Sequence, residues 1–234
     1  MDRRSDRYIP AFNIGALTPL YDLIIRWTTR ESTLKSRLVE QAAAREGHRV
    51  LDLGCGTATL TVMIKGACQG SEVIGLDIDP KAPGLVRGDA LALPFRDGSF
   101  DGVVCIRTLG AIDDDAGALR EFHRVLRPKG FLLAAVANLW SYTSVVPRSS
   151  INKSLREVYT GTWRLYDRPM LRTTLASAGF EMVVIRGCHF LPHWFVERQT
   201  PAMTEVFATA DRSLGDNALT GRLGTLILAC GRRR

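Results

Sequence analysis

Apolar positions recur at helical spacing early in the chain and then give way to short runs. Leu17, Leu20, Ile24 and Trp27, then Leu34 and Leu38, lie three or four residues apart, which predicts two helices within residues 15–45. Thr18-Pro19 starts the first, and Ser32 or Thr33 caps the second. From Arg49 the period changes. Val50-Leu51-Asp52-Leu53 reads as a strand that ends at Gly54-Cys55-Gly56, and Ala58 to Cys68 reads as a helix. Val73 to Asp77 and Asp101 to Ile106 read as strands, Asp113 to Leu126 as a helix, Pro128-Lys129-Gly130 as a turn and Phe131 to Val136 as a buried strand. Residues 141–166 lose the rhythm and read as an insertion over the carboxyl edge of a sheet. Regular structure returns with a helix at Pro169–Ala178 and strands at Phe180–Gly187 and Thr225–Cys230. Strands alternating with helices predict an α/β fold with a doubly wound, mostly parallel sheet.

One interval breaks this pattern. Only Pro80 to Gly84 separates the second strand from Leu85-Val86-Arg87, the candidate third. A parallel crossover normally needs a dozen or more residues, usually with a helix. Five residues with two prolines cannot form one, so the crossover helix after the second strand is expected to be missing or reduced to one turn.

Composition narrows the class. The 234 residues are 46% hydrophobic and 24% charged, which excludes wholesale disorder and fits a single domain over 1–234. The net charge is +7, divided as +3 over residues 1–49, −2 over 50–140 and +6 over 141–234. A basic terminal third admits nucleic acid or anionic lipid as a partner, but a solvated surface with a frayed tail at Arg232-Arg233-Arg234 is the simpler reading. Five cysteines without a CxxC pair argue against disulfides and zinc and fit the cytoplasm. The polar start MDRRSDRYIP has no signal-peptide core, and the longest nearly apolar run, Gly130 to Leu139, is too short to span a bilayer.

The chemistry centres on the turn Gly54-Cys55-Gly56-Thr57. A strand, a glycine turn and a helix let a ligand lie against the backbone, and Asp77, ending the next strand, suits two neighbouring ribose hydroxyls. A dinucleotide-binding site would show GxGxxG, whereas this turn reads Gly54-Cys55-Gly56-Thr57-Ala58-Thr59. These residues resemble motif I and the following acidic motif of class I S-adenosylmethionine-dependent methyltransferases. Gly88-Asp89-Ala90, Leu93-Pro94-Phe95, Asp97 to Asp101, Arg124 to Gly130 and Ala178-Gly179-Phe180 extend the resemblance in order over residues 48–187. The Tyr21-Asp22 pair adds to a likeness to the UbiE-like, type 11 small-molecule subgroup.

The resemblance implies a Rossmann-like, seven-strand sheet with an antiparallel last strand, and S-adenosylmethionine as cofactor with S-adenosylhomocysteine as product. It assigns Asp52, Gly54, Cys55, Gly56 and Thr57 to the turn around the methionine and ribose, and Asp77 to the ribose hydroxyls. Ile78 would pack on adenine, Asp89 and Ala90 would meet its edge, and Ile106, Arg107 and Thr108 would face the methionine end, with Leu109 toward the acceptor. Ala58 stands where the family's third glycine is usual. The division expected is an N-terminal helical lid at 1–47, a cofactor-binding core at 48–140, a cap at 141–166 and the rest of the sheet at 167–234.

Methyl transfer from a sulfonium needs alignment and exclusion of water more than a catalytic group. A general base remains open; His189 and His193, just past the sixth strand, are the candidates. No metal site is expected, because Pro192 interrupts the HxxxH spacing. Ten of 18 aromatics lie between Trp140 and Phe207. Tyr21, Trp140, Tyr142, Trp163, Tyr166 and Trp194 are therefore pocket candidates for a flat or apolar acceptor methylated on O, C or N. The competing readings are an RNA or protein methyltransferase using the basic third, and a non-catalytic binding protein that keeps the fold. The segment Ile106 to Gly110 lacks the Asn/Asp-Pro-Pro-Tyr pattern of base methylation, which weighs against nucleic acid.

Overall fold

A computed structural model describes residues 45–141, 164–188, 209–210, 213–217 and 219–234. The helices expected within 15–45, most of the lid and nearly all of the cap lie outside the described residues. The elements are β1 (Arg49–Leu53), α1 (Thr59–Ala67), β2 (Glu72–Asp77), β3 (Val86–Arg87), β4 (Phe100–Ile106), α2 (Asp115–Val125), β5 (Leu126–Ala137), α3 (Arg168–Ser177), β6 (Phe180–Cys188) and β7 (Leu226–Arg233). They form one seven-stranded sheet in the order β3-β2-β1-β4-β5-β7-β6. β1 pairs parallel with β2 and β4, β4 with β5, and β7 runs antiparallel between β5 and β6.

Strand alternation sends side chains to two cores. Leu51, Leu53, Val103, Cys105 and Leu132 pack with Leu119 and Phe122 of α2 and Leu171 and Leu175 of α3. Val50, Val104, Leu133 and Leu228 pack with Leu60 and Ile64 of α1. Val103 and Val104 are both wholly buried, as a central parallel strand covered on both faces requires.

The short crossover is as expected. β2 passes to β3 through eight residues with no helix, and β3 has two residues. Two expectations are corrected. Pro128-Lys129-Gly130 does not end a turn before the strand; it lies within β5 as a bulge against β4, with Lys129 at φ 64°. The chain's end is not frayed. β7 continues to Arg233, whose guanidinium donates to the carbonyls of Leu126 and Arg124, while Arg232 donates to that of Lys129.

The stretches Leu93 to Asp101 and Arg124 to Gly130, which carried part of the resemblance, form a clamp at the amino ends of the strands. Arg124 donates to the carbonyls of Leu93 (3.0 Å) and Phe95 (2.8 Å) and to Asp97 and Glu121 (each 2.7 Å). Glu121 accepts the Leu93 amide at 2.8 Å. Asp101 accepts the Arg49 amide of β1 and the Arg127 guanidinium of β5. The Arg124 guanidinium holds Glu121 below the usual carboxylate range. Burial pushes Asp101 up, but the Arg49 amide and Arg127 outweigh it, so its pKa is also lowered.

Removing the clamp has a measurable cost. Arg124→Leu leaves two loop carbonyls and Glu121 without their charged donor and should lower the unfolding free energy by about 2 kcal/mol, read from urea denaturation. The depressed carboxylates contribute stability that is present above their unfolded pKa of about 4 and is lost as pH falls through their folded values. Stability should therefore drop on acidification below about pH 4, and Glu121→Gln should flatten that drop.

Candidate functional site

The glycine turn folds back over the end of β2. The amides of Gly54 and Cys55 both donate to the Leu76 carbonyl, at 2.8 and 3.3 Å. The Asp77 carboxylate accepts the Gly56 amide on one oxygen and the Asp79 amide on the other, each at 2.9 Å. Lys81, in the short connection, donates its amide to the Gly56 carbonyl at 3.3 Å. Gly54 has φ 71°, and a Cβ there would stand 2.0 Å from Thr108 Oγ1, so Thr108 closes directly on the glycine. Gly56 has φ 52° with nothing within 4 Å of its missing Cβ, which leaves open space above the turn. Ala58 adopts φ 65° at the start of α1 without a capping side chain.

A cavity of about 350 Å³ opens at the carboxyl ends of β1, β2 and β4. This is where strand order reverses, the usual ligand crevice of such sheets. Of the residues expected to hold the cofactor, Gly54, Asp77, Ile78, Asp89, Ala90, Arg107 and Thr108 line it together. Leu53, Leu76, Leu91, Ala111 and Ile112 supply the apolar wall, with Asp113 and Asp114 at its edge. The pattern had read Asp113 and Asp114 only as the start of a helix and had not singled out Ala111 and Ile112. These two belong to a 3-10 turn at Leu109–Ala111 and its exit, which the period of strands and helices does not mark.

Other expected residues stand elsewhere. Asp52 is 2% exposed and points to the α1 face, where it accepts the Thr61 hydroxyl at 2.6 Å. Ile106 packs on that same face because successive strand residues alternate. Cys55 and Thr57 stay in the turn, outside the cavity lining; burial, then Asp52 and Asp77, push the Cys55 thiol up to about 12. Leu109 and Tyr166 are corrected from pocket to core: both are fully buried, and Tyr166 donates its hydroxyl to Asp115 at 2.6 Å. Asp115 also receives Arg164 at 2.6 Å. Burial, then Asp115, raise the Tyr166 pKa well above the usual phenol value, so Tyr166 stays neutral. Trp140 is 57% exposed and lies outside the cavity lining. Tyr21, Tyr142, Trp163, Trp194, His189 and His193 lie outside the described residues. Among the described residues no three His, Cys, Asp or Glu side chains group as metal ligands, and no helix is long and apolar enough to cross a membrane.

The residues present fit a nucleoside with an amino-acid arm. Each Asp77 oxygen accepts one backbone amide and keeps a lone pair for a hydroxyl. Ile78, Ala90 and Leu91 offer apolar surface for a base, and the cavity volume lies within the range of small-ligand pockets. Asp89 is shaped for this wall by accepting the Leu91 amide at 2.9 Å.

Fold and cavity together define an α/β domain with a ligand crevice suited to a nucleoside. The methyltransferase domain family matches residues 51–134. A demethylmenaquinone methyltransferase of Staphylococcus epidermidis is 30% identical over 173 residues, covering 61% of this chain and 72% of the relative. One of Thermus thermophilus is 37% identical over 133 residues, covering 50% of this chain and 60% of the relative. Against the Staphylococcus saprophyticus relative the chain spans about half of its length, 51%. A solved SAM-dependent methyltransferase of Thermotoga maritima, described as a possible histamine N-methyltransferase, superposes with a TM-score of 0.67 at 18% identity, over 94% of this chain and 97% of that one. Geranyl diphosphate C-methyltransferase of Streptomyces coelicolor superposes at 0.60 with 16% identity, over 87% and 79%. These two likenesses show the shared fold. The chain belongs to the S-adenosylmethionine-dependent methyltransferase family.

The turn's geometry predicts an order of effects in thermal denaturation. Gly54→Ala, which meets Thr108 and a positive φ, should destabilise by about 2 kcal/mol or more. Gly56→Ala, with open space, should cost about 1 kcal/mol, and Ala58→Gly should stabilise by up to about 1 kcal/mol.

Proposed function

We propose that the protein transfers a methyl group from S-adenosylmethionine to O, C or N of a small, aromatic or apolar acceptor. The observation that carries this reading is the cavity at the β1/β4 switch point, where Gly54, Asp77, Asp89 and Thr108 converge. Asp77 is assigned to the ribose hydroxyls and Ile78, Asp89 and Ala90 to the adenine. Arg107 and Thr108, just past β4, are assigned to the methionine end. When bound, the sulfonium supplies an already activated methyl group.

The chain's own residues then orient and enclose. Thr108 lies against Gly54, and the two would form the floor under the methionine arm. The wall of Leu53, Leu76, Ala111 and Ile112 excludes water and leaves an apolar approach for the acceptor. The relatives of Thermus thermophilus and Staphylococcus epidermidis carry the name demethylmenaquinone methyltransferase, and a quinone-type ring fits the proposed acceptor class. Cys55 and Cys105, both raised to about 12, are held as thiols and are unsuited to act as nucleophiles. We place the lid at 1–47, the core at 48–140, the cap at 141–166 and the remaining sheet at 167–234. His189 and His193 remain the candidates for a base. The free cysteines suit a reducing compartment, and we assign the protein to the cytoplasm.

Isothermal titration checks the cofactor step. S-adenosylhomocysteine should bind at micromolar levels, and Asp77→Ala should weaken it about tenfold or more, since one carboxylate serves two hydroxyls and also braces the turn. Absence of binding at about millimolar ligand would reject the reading.

A further inference from the structure

Three arginines converge on the carboxyl edge of the sheet, away from the cofactor cavity. Arg168 begins α3 and donates to the Gly215 carbonyl at 2.8 Å. Arg186, near the end of β6, donates to Asp216, the next residue, at 3.2 Å. Arg222 closes the 3-10 turn Thr220–Arg222 that leads into β7. A Cβ on Gly221 would stand 2.1 Å from a terminal nitrogen of Arg168, so that guanidinium lies flat against the residue beside Arg222. A Cβ on Gly187 would stand 2.0 Å from the Gly221 carbonyl, so glycines allow the turn to close on β6.

The charges do not balance. Among the described residues one carboxylate is paired here: Asp216, 61% exposed, meets Arg186, while Arg168 bonds only a backbone carbonyl. Each guanidinium offers five N–H donors in a planar fork. Arg168 and Arg186 each make one hydrogen bond here, and the Nε atoms of both are buried without a partner. Burial first, and then the neighbouring Arg222, pull the Arg168 pKa below the ordinary arginine value. A purely structural pin would bring matching carboxylates; two half-buried guanidinium groups beside an exposed third are a like-charge arrangement that a polyvalent anion relieves.

We propose that Arg168, Arg186 and Arg222 bind a phosphoryl group, and that the acceptor carries it. The acceptor part rests on the methyl-transfer reading above. Position supports it. The Asn138 side chain, just past β5, donates to the carbonyls of Arg222 and Gly224 at 2.8 and 2.6 Å, which ties the arginine turn to the same sheet edge as the cavity. The strands run β4-β5-β7-β6. At about 4.8 Å per strand, β7 and β6 lie about 10 and 14 Å from β4, whose end carries Arg107 and Thr108. The acceptor is therefore an elongated molecule with an apolar body, an anionic head on the arginines and its reacting atom at the cavity mouth.

Titration of sodium pyrophosphate into the full chain, at ionic strength matched with sodium chloride, tests the site. The wild type should bind below about 1 mM. Arg168→Gln and the exposed Arg222→Gln should each weaken this about tenfold, while Arg172→Gln, on the same helix, should not. Affinity for S-adenosylhomocysteine should be unchanged in all three variants, which also shows that they are folded. No binding at about 10 mM, or Arg222→Gln binding like the wild type, would overturn the site. With S-adenosylhomocysteine saturating, n-decyl phosphate should bind about tenfold tighter than ethyl phosphate. Equal binding would overturn the acceptor assignment and leave an anion site alone. Failure of S-adenosylhomocysteine itself would reject methyl transfer while the pyrophosphate titration still reads the arginines.

Discussion

Everything at the cavity depends on one carboxylate. Asp77 ends β2 and accepts the Gly56 amide from the turn after β1 and the Asp79 amide from its own continuation. A single side chain thus braces the glycine turn against the end of the neighbouring strand. Because the connection after β2 has no helix, the restraint matters more here. The Asp77 bonds, the Gly54 and Cys55 amides on the Leu76 carbonyl, the Lys81 amide on Gly56 and the two-residue β3 hold that side of the sheet's edge. The same carboxylate lines the cavity, so the group that shapes the turn is also the one assigned to the ribose.

The opposite end of the sheet is held in a different way. Arg124 gathers carbonyls and carboxylates from Leu93 to Glu121, and Asp101 bridges β1 and β5. Several residues that made the chain resemble its family act at this clamp, far from any ligand. A motif shared by a family therefore reports two kinds of constraint. Gly54 and Asp77 are restricted by what must fit against them, whereas Arg124 and Asp101 are restricted by unpaired backbone groups that would otherwise be buried.

The pattern does not show which polar groups are buried. Asp115 follows two acids at a helix start, and such a run ordinarily faces water. Asp114 does cap α2, accepting the Gly117 amide at 2.7 Å. Asp115, one residue on, turns into the core, where Tyr166 and Arg164 satisfy it. Tyr166 is 51 residues away in sequence, so no local signal marks the pair. Arg164 is likewise turned onto Asp115 by the tertiary structure, whereas Arg168 meets only the Gly215 carbonyl.

The amino-acid sequence by itself determined the strand and helix order, the parallel sheet, the missing crossover helix and the glycine turn with its acid. These follow from period, from proline and glycine chemistry and from the reach of a short chain, all of which act between near neighbours. The family resemblance also named the seven residues that meet in the cavity, and the ends of parallel strands bring them to one edge. Only the tertiary structure decided which face Asp52 and Ile106 take, that residues 128–130 are a bulge, that Leu109 and Tyr166 are core, and that three arginines meet around Gly215 and Asp216. Those outcomes depend on register and on packing between distant segments. A one-residue shift in a strand reverses its faces, and a charge is buried only where another part of the chain arrives to meet it.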